Sequence, residues 1–307
     1  MNHTLLQQSI ERQMHPTHIR HDIQQSIQSS FQDELQQAIT LIHTYIEKQE
    51  WESKMLRKQH LLTIELDSLV CDILTTITLH TQNRLPYVNV AGMIPIKGMS
   101  ALDAIKTVCE LIAVLLPLGM YNITSFKTTR YIESLIQLPD SLLDRIKLSC
   151  YLPPMITTPK PVNNNYTSGY LTLDDNVILG SKHNKHSEPL ALDIINKQNQ
   201  NTYELDSYIV QQFDKQWHRT ELNLDEMSLL NDDEQLQYLS DKTTWEKYQE
   251  QFEVLKQHLA DKSFHFLHKY DKRGRLYSQG YHFNPMGSSF EKACINFKHK
   301  QLVTGEL

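Results

Sequence analysis

Fifteen histidines make metal binding the first chemistry to weigh. His15, His18 and His21 recur every third residue, and His183/His186 and His265/His268 form H-x-x-H pairs. On a helix such spacing turns imidazoles toward one face, but zinc takes four ligands with a second cluster at suitable spacing, and no cysteine lies near these histidines. No zinc site is expected. Cys71, Cys109, Cys150 and Cys294 include no C-x-x-C pair and read as reduced, buried thiols. Neither G-x-S-x-G nor G-x-x-x-x-G-K-[ST] occurs, so no nucleophile elbow or phosphate loop is present. Asp174-Asp175 reads as a turn, and Asp232-Asp233-Glu234 as a helix N-terminus, where negative charge suits the dipole.

The informative chemistry lies between His268 and Gly287. There a strand enters a tight turn, Asp271-Lys272-Arg273-Gly274-Arg275, at which glycine permits a backbone conformation that a Cβ would oppose. Arg273 and Arg275 are two apart and share a face if the backbone stays extended. Their forked donors suit phosphate oxygens and sugar hydroxyls. Asp271 can cap the turn or hold one guanidinium. Asn284-Pro285-Met286-Gly287 reads as a second turn.

Charge supports attention to this segment. The net charge is -6, yet Val254 to Lys300 carries nine Lys or Arg against three acids, a block of +6 that leaves -12 for the rest. The stretch from Asn201 to Glu253 holds thirteen acids against four bases. A basic block is an electrostatic footprint for phosphates. Phe264, Phe266, Tyr270, Tyr277, Tyr281, Phe283 and Phe290 interleave with its bases, as either stacking groups or core strands would.

The elements that position these residues follow from periodicity. Leu35, Ile39, Ile42 and Ile46 form one helical stripe, and Leu62, Leu66, Leu69, Ile73 and Ile77 another. Ser100 to Asp103 has capping-box character and opens a helix through Leu116, which Pro117 and Gly119 end. A loop is expected from Arg84 to Met99. The Gln-rich N-terminus reads as a frayed arm. From Leu152 to Pro161 four prolines impose an extended connector. A turn at Asn163 to Asn165, a strand at Tyr170 to Leu173 and a loop from Gly180 to Pro189 follow. Helices are expected at Leu190–Asn201, Leu205–His218 and Asp232–Leu259, and strand alternation from Phe264. The expected class is mainly α with a smaller β part, α+β. The longest apolar run, Leu111 to Met120, is ten residues and contains Pro117 and Gly119, too short for a membrane span. No secretory signal is read at Met1, so a cytoplasmic protein is expected.

Asp271 to Tyr277, followed by Phe283-Asn284-Pro285-Met286-Gly287, resembles the D-x-x-G-R region of the single-subunit RNA polymerases of bacteriophages and mitochondria. Pro154-Met155, Pro159-Lys160-Pro161 and Gly169-Tyr170-Leu171 are similar to the P-M…P-K-P-W…G-G-Y segment before the thumb of that family. Val162 stands in place of its tryptophan and Ser168 in place of its first glycine. Asn196 to Thr202 resembles the family's Asn/Gln-rich helix. The resemblance covers Leu152 to Leu307.

It implies an N-terminal mostly helical domain at 1–187, a thumb-like helical element at 188–261 and the start of a right-hand polymerase palm at 262–307. It implies that Arg273 and Arg275 bind nucleic-acid backbone, supported by Lys269, Lys272 and Tyr277, while Asp271 and Gly274 shape the turn. The family's metal-binding aspartates and fingers motifs follow this region. The expectation is therefore a small subunit of a split, two-chain RNA polymerase that engages template DNA and the RNA transcript, itself without catalytic residues or bound cofactor. A second chain would supply fingers and the remaining palm, with Mg2+ in the completed active centre and the last strands continued across their open edges. Two other readings share the signature: a non-catalytic nucleic-acid-binding regulator that retains a polymerase N-terminal region, and a fragment of a longer polymerase.

Overall fold

The computed structural model describes residues 2–80, 85–126, 128–149, 152–180, 186–212 and 221–300. Arg84, Cys150, His183 and His218 lie outside the described residues. Among the described residues the fold is mixed α+β, with long helical stretches and three small sheets. Contacts divide the chain into two compact units, one comprising Met1–Glu11, Tyr151–Leu179 and His186–Leu307, the other Arg12–Cys150 and Gly180–Lys185. The segments 188–261 and 262–307 thus share one unit, and residues 1–187 are divided between the two. Among the described residues no helix is long and apolar enough to cross a membrane.

Helix α1 (His3–Met14) opens the chain and α2 (Pro16–Ser30) follows, with Pro16 at its first position and His15 as N-cap, its Nδ1 accepting from the Thr17 N–H at 3.1 Å. The expected frayed arm is therefore corrected: Ile19, Ile23 and Ile27, spaced one turn apart, are fully buried. Helices α3 (Gln32–Glu47), α4 (Glu52–Leu61) and α5 (Leu66–Leu79) come next. Leu62 is not part of the α5 stripe; it caps α4 and is exposed, because the chain turns there on hydrogen bonds back to Gln59 and His60. The loop expected before Met99 contains a short strand, β1 (Leu85–Pro86), and a helix, α6 (Tyr87–Gly92), which buries Val90 and Ala91.

Helix α7 (Ala101–Leu115) starts where expected, since the Ser100 hydroxyl accepts from the Asp103 N–H. It passes into a tight turn at Leu116–Leu118 and stops at Gly119, whose φ of +70° is the left-handed cap that glycine favours. A hairpin then forms from β2 (Tyr121–Phe126) and β3 (Thr129–Ser134), antiparallel, with β1 on the far side of β3. Helix α8 (Asp140–Leu148) ends this unit's regular elements. One continuous apolar cluster holds them, built on Ile23, Ile42, Ile73, Val108, Leu111 and Ile132.

The other unit contains most of α1, as far as Glu11, together with α9 (Leu192–Asn199), β4 (Tyr203–Leu205), α10 (Ser207–Gln212), α11 (Leu224–Ser228), α12 (Asp232–Leu259), β5 (Leu267–Tyr270), β6 (Leu276–Gln279), α13 (Ser289–Ala293) and β7 (Ile295–Phe297). β5 pairs antiparallel with β6 and β4 with β7. The prolines of residues 153–161 keep that stretch extended, as expected, and Met155 bridges His265. Tyr170–Leu173 is not a strand. Its backbone donors are taken by a side chain instead: the fully buried Glu11 carboxylate accepts from the Leu171 N–H and from the N–H and hydroxyl of Thr172, at 2.7–3.0 Å. Gln7, also fully buried, donates to Glu11 and accepts from the Ile156 N–H. The aromatic alternation from Phe264 is core: Phe264, Phe266, Tyr270 and Phe283 are buried, and only Tyr281 among the seven is half exposed.

Candidate nucleic-acid interface

Strands β5 and β6 are joined by the turn that holds the candidate residues. Lys269 lies opposite Tyr277 and Tyr270 opposite Leu276. The Asp271 N–H donates to the Arg275 carbonyl at 2.8 Å and the Gly274 N–H to the Asp271 carbonyl at 3.0 Å. Gly274 has φ +78° and no atom within 4 Å of an added Cβ. Backbone conformation, not space, therefore requires glycine there.

One carboxylate organises everything else. Asp271 Oδ1 accepts from the N–H groups of Arg273 and Arg275, both at 2.9 Å, and Oδ2 accepts from Arg275 Nε at 2.8 Å and Arg273 Nε at 3.3 Å. The Arg275 N–H bond and the Arg275 side chain hold this carboxyl below its ordinary range, and Asp271 in turn pushes the Arg275 guanidinium upward. Arg273 and Arg275 do share a side, but the reason differs from the expected extended backbone. Residues 272–274 form a turn, and the shared carboxylate gathers the two side chains. Asp271 is only 15% exposed, whereas the two guanidinium side chains are 72% and 52% exposed. The anchor is sheltered and the cations face solvent.

The remaining candidates differ in availability. Lys272 is exposed and makes no ion pair among the described residues. Tyr277 is partly buried beneath Arg275, whose guanidinium carbon stands 5.6 Å from the ring centroid. Lys269 is mostly buried and paired with Asp175, so reaching a phosphate would require leaving that partner. Elsewhere in the basic block Lys256 pairs with Glu253, Lys262 donates to the His258 carbonyl, Lys298 to Ser263, and Lys300 pairs with Glu204. Accessible positive charge remains at the turn, at Lys292, which is exposed and makes no ion pair among the described residues, and at the exposed Lys300.

Segments distant in sequence converge on β5 to fix the turn. Tyr270 exchanges backbone hydrogen bonds with Val177 and Leu179, both at 2.7 Å. Asn199 Oδ1 meets both the backbone N–H and ring Nδ1 of His268 at 3.0 Å. Burial lowers the His268 pKa to about 4 and keeps the ring neutral. Asn196 mimics a strand partner for Val162, accepting from its N–H at 2.7 Å and donating to its carbonyl at 3.0 Å. A Cβ on Gly169 would stand 2.4 Å from a Leu267 methyl and 2.8 Å from the Pro159 side chain, so the glycine allows close approach to β5. The Asn/Gln-rich helix and the proline segment are thus backbone supports for the strand that leads into the turn. Nothing in their composition revealed the pairings of Asp175 with Lys269 or of Asn199 with His268, which span 94 and 69 residues.

The outer edge of β6 is covered at Ser278. His268 and Tyr270 direct their backbone groups away from β6, so the facing Ser278 points outward. Its N–H meets Met286 Sδ at 3.3 Å, and Asn284 Nδ2 donates to the Gly280 carbonyl at 2.8 Å. The Asn284–Gly287 turn folds back over the strand. Gly280 fits because an added Cβ would fall 2.6 Å from the Phe283 carbonyl oxygen.

The chain matches no family model and no curated protein sequence. Resemblance to the polymerase family thus rests on the quoted motifs. Among the described residues no three His, Cys, Asp or Glu side chains gather into a metal site. Cys71 and Cys294 are buried and Cys109 half-buried, a partial correction to the expected burial; desolvation raises all three thiols, Cys294 to about 12, which makes them poor nucleophiles.

Proposed function

We propose that this chain is the small subunit of a two-chain RNA polymerase of the phage type, and that its Asp271–Arg275 turn holds the backbone of template DNA and the RNA–DNA hybrid. One observation carries the reading: the stretches that separately resemble the polymerase family, 154–171, 196–202 and 268–287, meet around β5 and set up the turn. Arg273 and Arg275 then act as forked phosphate ligands, Lys272 adds unpaired charge, and Tyr277 supports Arg275. Asp271 costs the site one unit of charge but fixes two cations in place before the ligand arrives, which lowers the ordering cost of binding. In this reading α9 to α12 form the thumb-like element and β5 to β7 the beginning of the palm. A second chain supplies the fingers, the rest of the palm and the Mg2+-binding residues.

The test is binding of the full chain to a fluorescent RNA–DNA hybrid over a salt series. Arg273→Ala/Arg275→Ala is expected to weaken binding and flatten its salt dependence; unchanged binding and slope would sink the nucleic-acid role. Elongation of an RNA primer by the purified chain alone would sink the split-enzyme role. Recovery from infected cells without a companion bearing fingers motifs would favour the non-catalytic regulator.

A further inference from the structure

Helix α12 has 28 residues, about 42 Å at 1.5 Å per residue, and is packed mainly through one end. Gln251, Phe252, Leu255 and Leu259 are buried near its C-terminus, whereas between Asp232 and Glu250 only Tyr238 is buried. That end is rooted by aromatic contacts, Tyr248 with His282 at 4.3 Å and Phe252 with Phe283 and Phe290 at 5.0 and 5.8 Å between ring centroids. The other end is held by local chemistry. Asn223 with Glu226, and Asn231 with Glu234, form two complete capping boxes at the starts of α11 and α12. Capping thus preorganises the start of a helix whose Tyr238 hydroxyl also accepts from the Leu222 N–H at 3.0 Å.

The exposed part has a definite character. Leu229, Leu236 and Leu239 are 84%, 49% and 50% exposed. On α12, Asp232, Leu236, Leu239, Thr243, Glu246 and Glu250 follow the three- and four-residue spacing of one face, and all are exposed. From Glu221 to Glu253 there are ten carboxylates and two lysines. Glu226 and Glu234 complete the capping boxes, Glu221 pairs with Lys242 and Glu253 with Lys256, while Glu246 and Glu250 on the stripe are exposed. A surface of this sign repels nucleic-acid backbone and selects a cation; its leucines select an apolar contact.

We propose that α11 and the solvent-facing part of α12 dock a protein partner through a basic amphipathic helix, whose leucine-like face meets Leu236 and Leu239 and whose lysines or arginines meet the flanking carboxylates. Helix-on-helix docking by i, i+3, i+7 anchors suits this stripe, and the prior order of the host helix reduces the entropy lost. The proposal does not depend on the polymerase reading, because it uses neither the Asp271 turn nor any bound nucleic acid.

The experiment titrates the full chain with a synthetic leucine/lysine helical peptide about five turns long, leucines on one face, and with its leucine/glutamate counterpart. Saturable binding of the lysine peptide is expected, weakened about 10-fold in Leu236→Ser/Leu239→Ser and about 3-fold in Glu246→Gln/Glu250→Gln. Circular dichroism should show the helix content of both variants unchanged. Equal binding of the glutamate peptide, or undiminished binding to the leucine variant, would overturn the proposal. A photo-crosslinkable lysine peptide on the unmodified chain gives a check free of folding effects: labelling of 224–250 supports the docking face, and labelling elsewhere refutes it.

Discussion

Two of the clusters that join guanidinium to carboxylate in this protein are built to opposite ends. Between α3, α4 and α7, Glu110 accepts the Tyr45 hydroxyl and a two-pronged contact from Arg57 at 2.8 and 3.2 Å, while Arg57 also donates to Thr107. Arg57 is only 13% exposed, and every prong of its fork used in these bonds points inward. At the β5–β6 turn the same chemistry is inverted: the carboxylate is sheltered and the guanidinium groups face water. Lys58 extends the closed cluster, fully buried over the Tyr45 ring at 4.4 Å and donating to the Lys48 carbonyl. A satisfied, enclosed ion pair locks helices together. One whose cation keeps donors to spare is equipped to hold something else.

The largest effect expected from breaking this contrast is at Glu110. Glu110→Ala leaves a mostly buried guanidinium and a tyrosine hydroxyl without their acceptor, which should cost about 3 kcal/mol in urea unfolding while hybrid binding stays unchanged. Acid probes the same cluster. Burial raises the Glu110 pKa, but the bonds from Arg57 and Tyr45 and the nearby positive charge outweigh it, leaving it below the ordinary 4.5. A depressed folded-state value means stabilisation that is complete above about 4.5 and is lost as pH falls through the folded value. Stability measured from pH 7 to pH 3 should therefore drop at its acid end, and Glu110→Gln should remove that component.

The open cluster should respond in binding rather than folding. Arg275→Ala is expected to weaken hybrid affinity about 10-fold at moderate salt, since charge-assisted contacts are lost while the turn keeps its backbone bonds. Arg273→Ala, the more exposed and more loosely held of the two, should cost about 3-fold, and its clearest signature is a shallower salt dependence, by about one phosphate contact. Loss of melting temperature in the arginine variants, or loss of hybrid binding in Glu110→Ala, would erase the distinction.

Legibility followed the range of the interactions. Helix α12 begins and ends where expected, because Asn231 and Glu234 cap it locally and its last turn carries Lys256 and His258. The Ser100 cap and the stop at Gly119 are equally local. The Asp271–Arg275 turn was readable in outline for the same reason, although the carboxylate's grip on both arginines was not. Misreadings cluster where partners are remote. Gln7 and Glu11 look like solvent-facing residues of a loose arm until Ile156, Leu171 and Thr172 arrive from some 150 residues away. Tyr170–Leu173 has strand-like composition, yet its donors go to Glu11. The β2–β3 hairpin was hidden by a connection lacking an Asn-Gly or Asp-Gly signal.

The same disparity sets an order of assembly. The start of helix α12 is capped by neighbours within a few residues, so that part can form on the sub-microsecond to microsecond scale of isolated helices. The strand that carries Lys269 must first find Asp175 and Asn199, and closing such loops is entropically slower. The start of the acidic helix is therefore an early landmark of folding, and the arginine turn acquires its fixed geometry only after distant chain has gathered around β5.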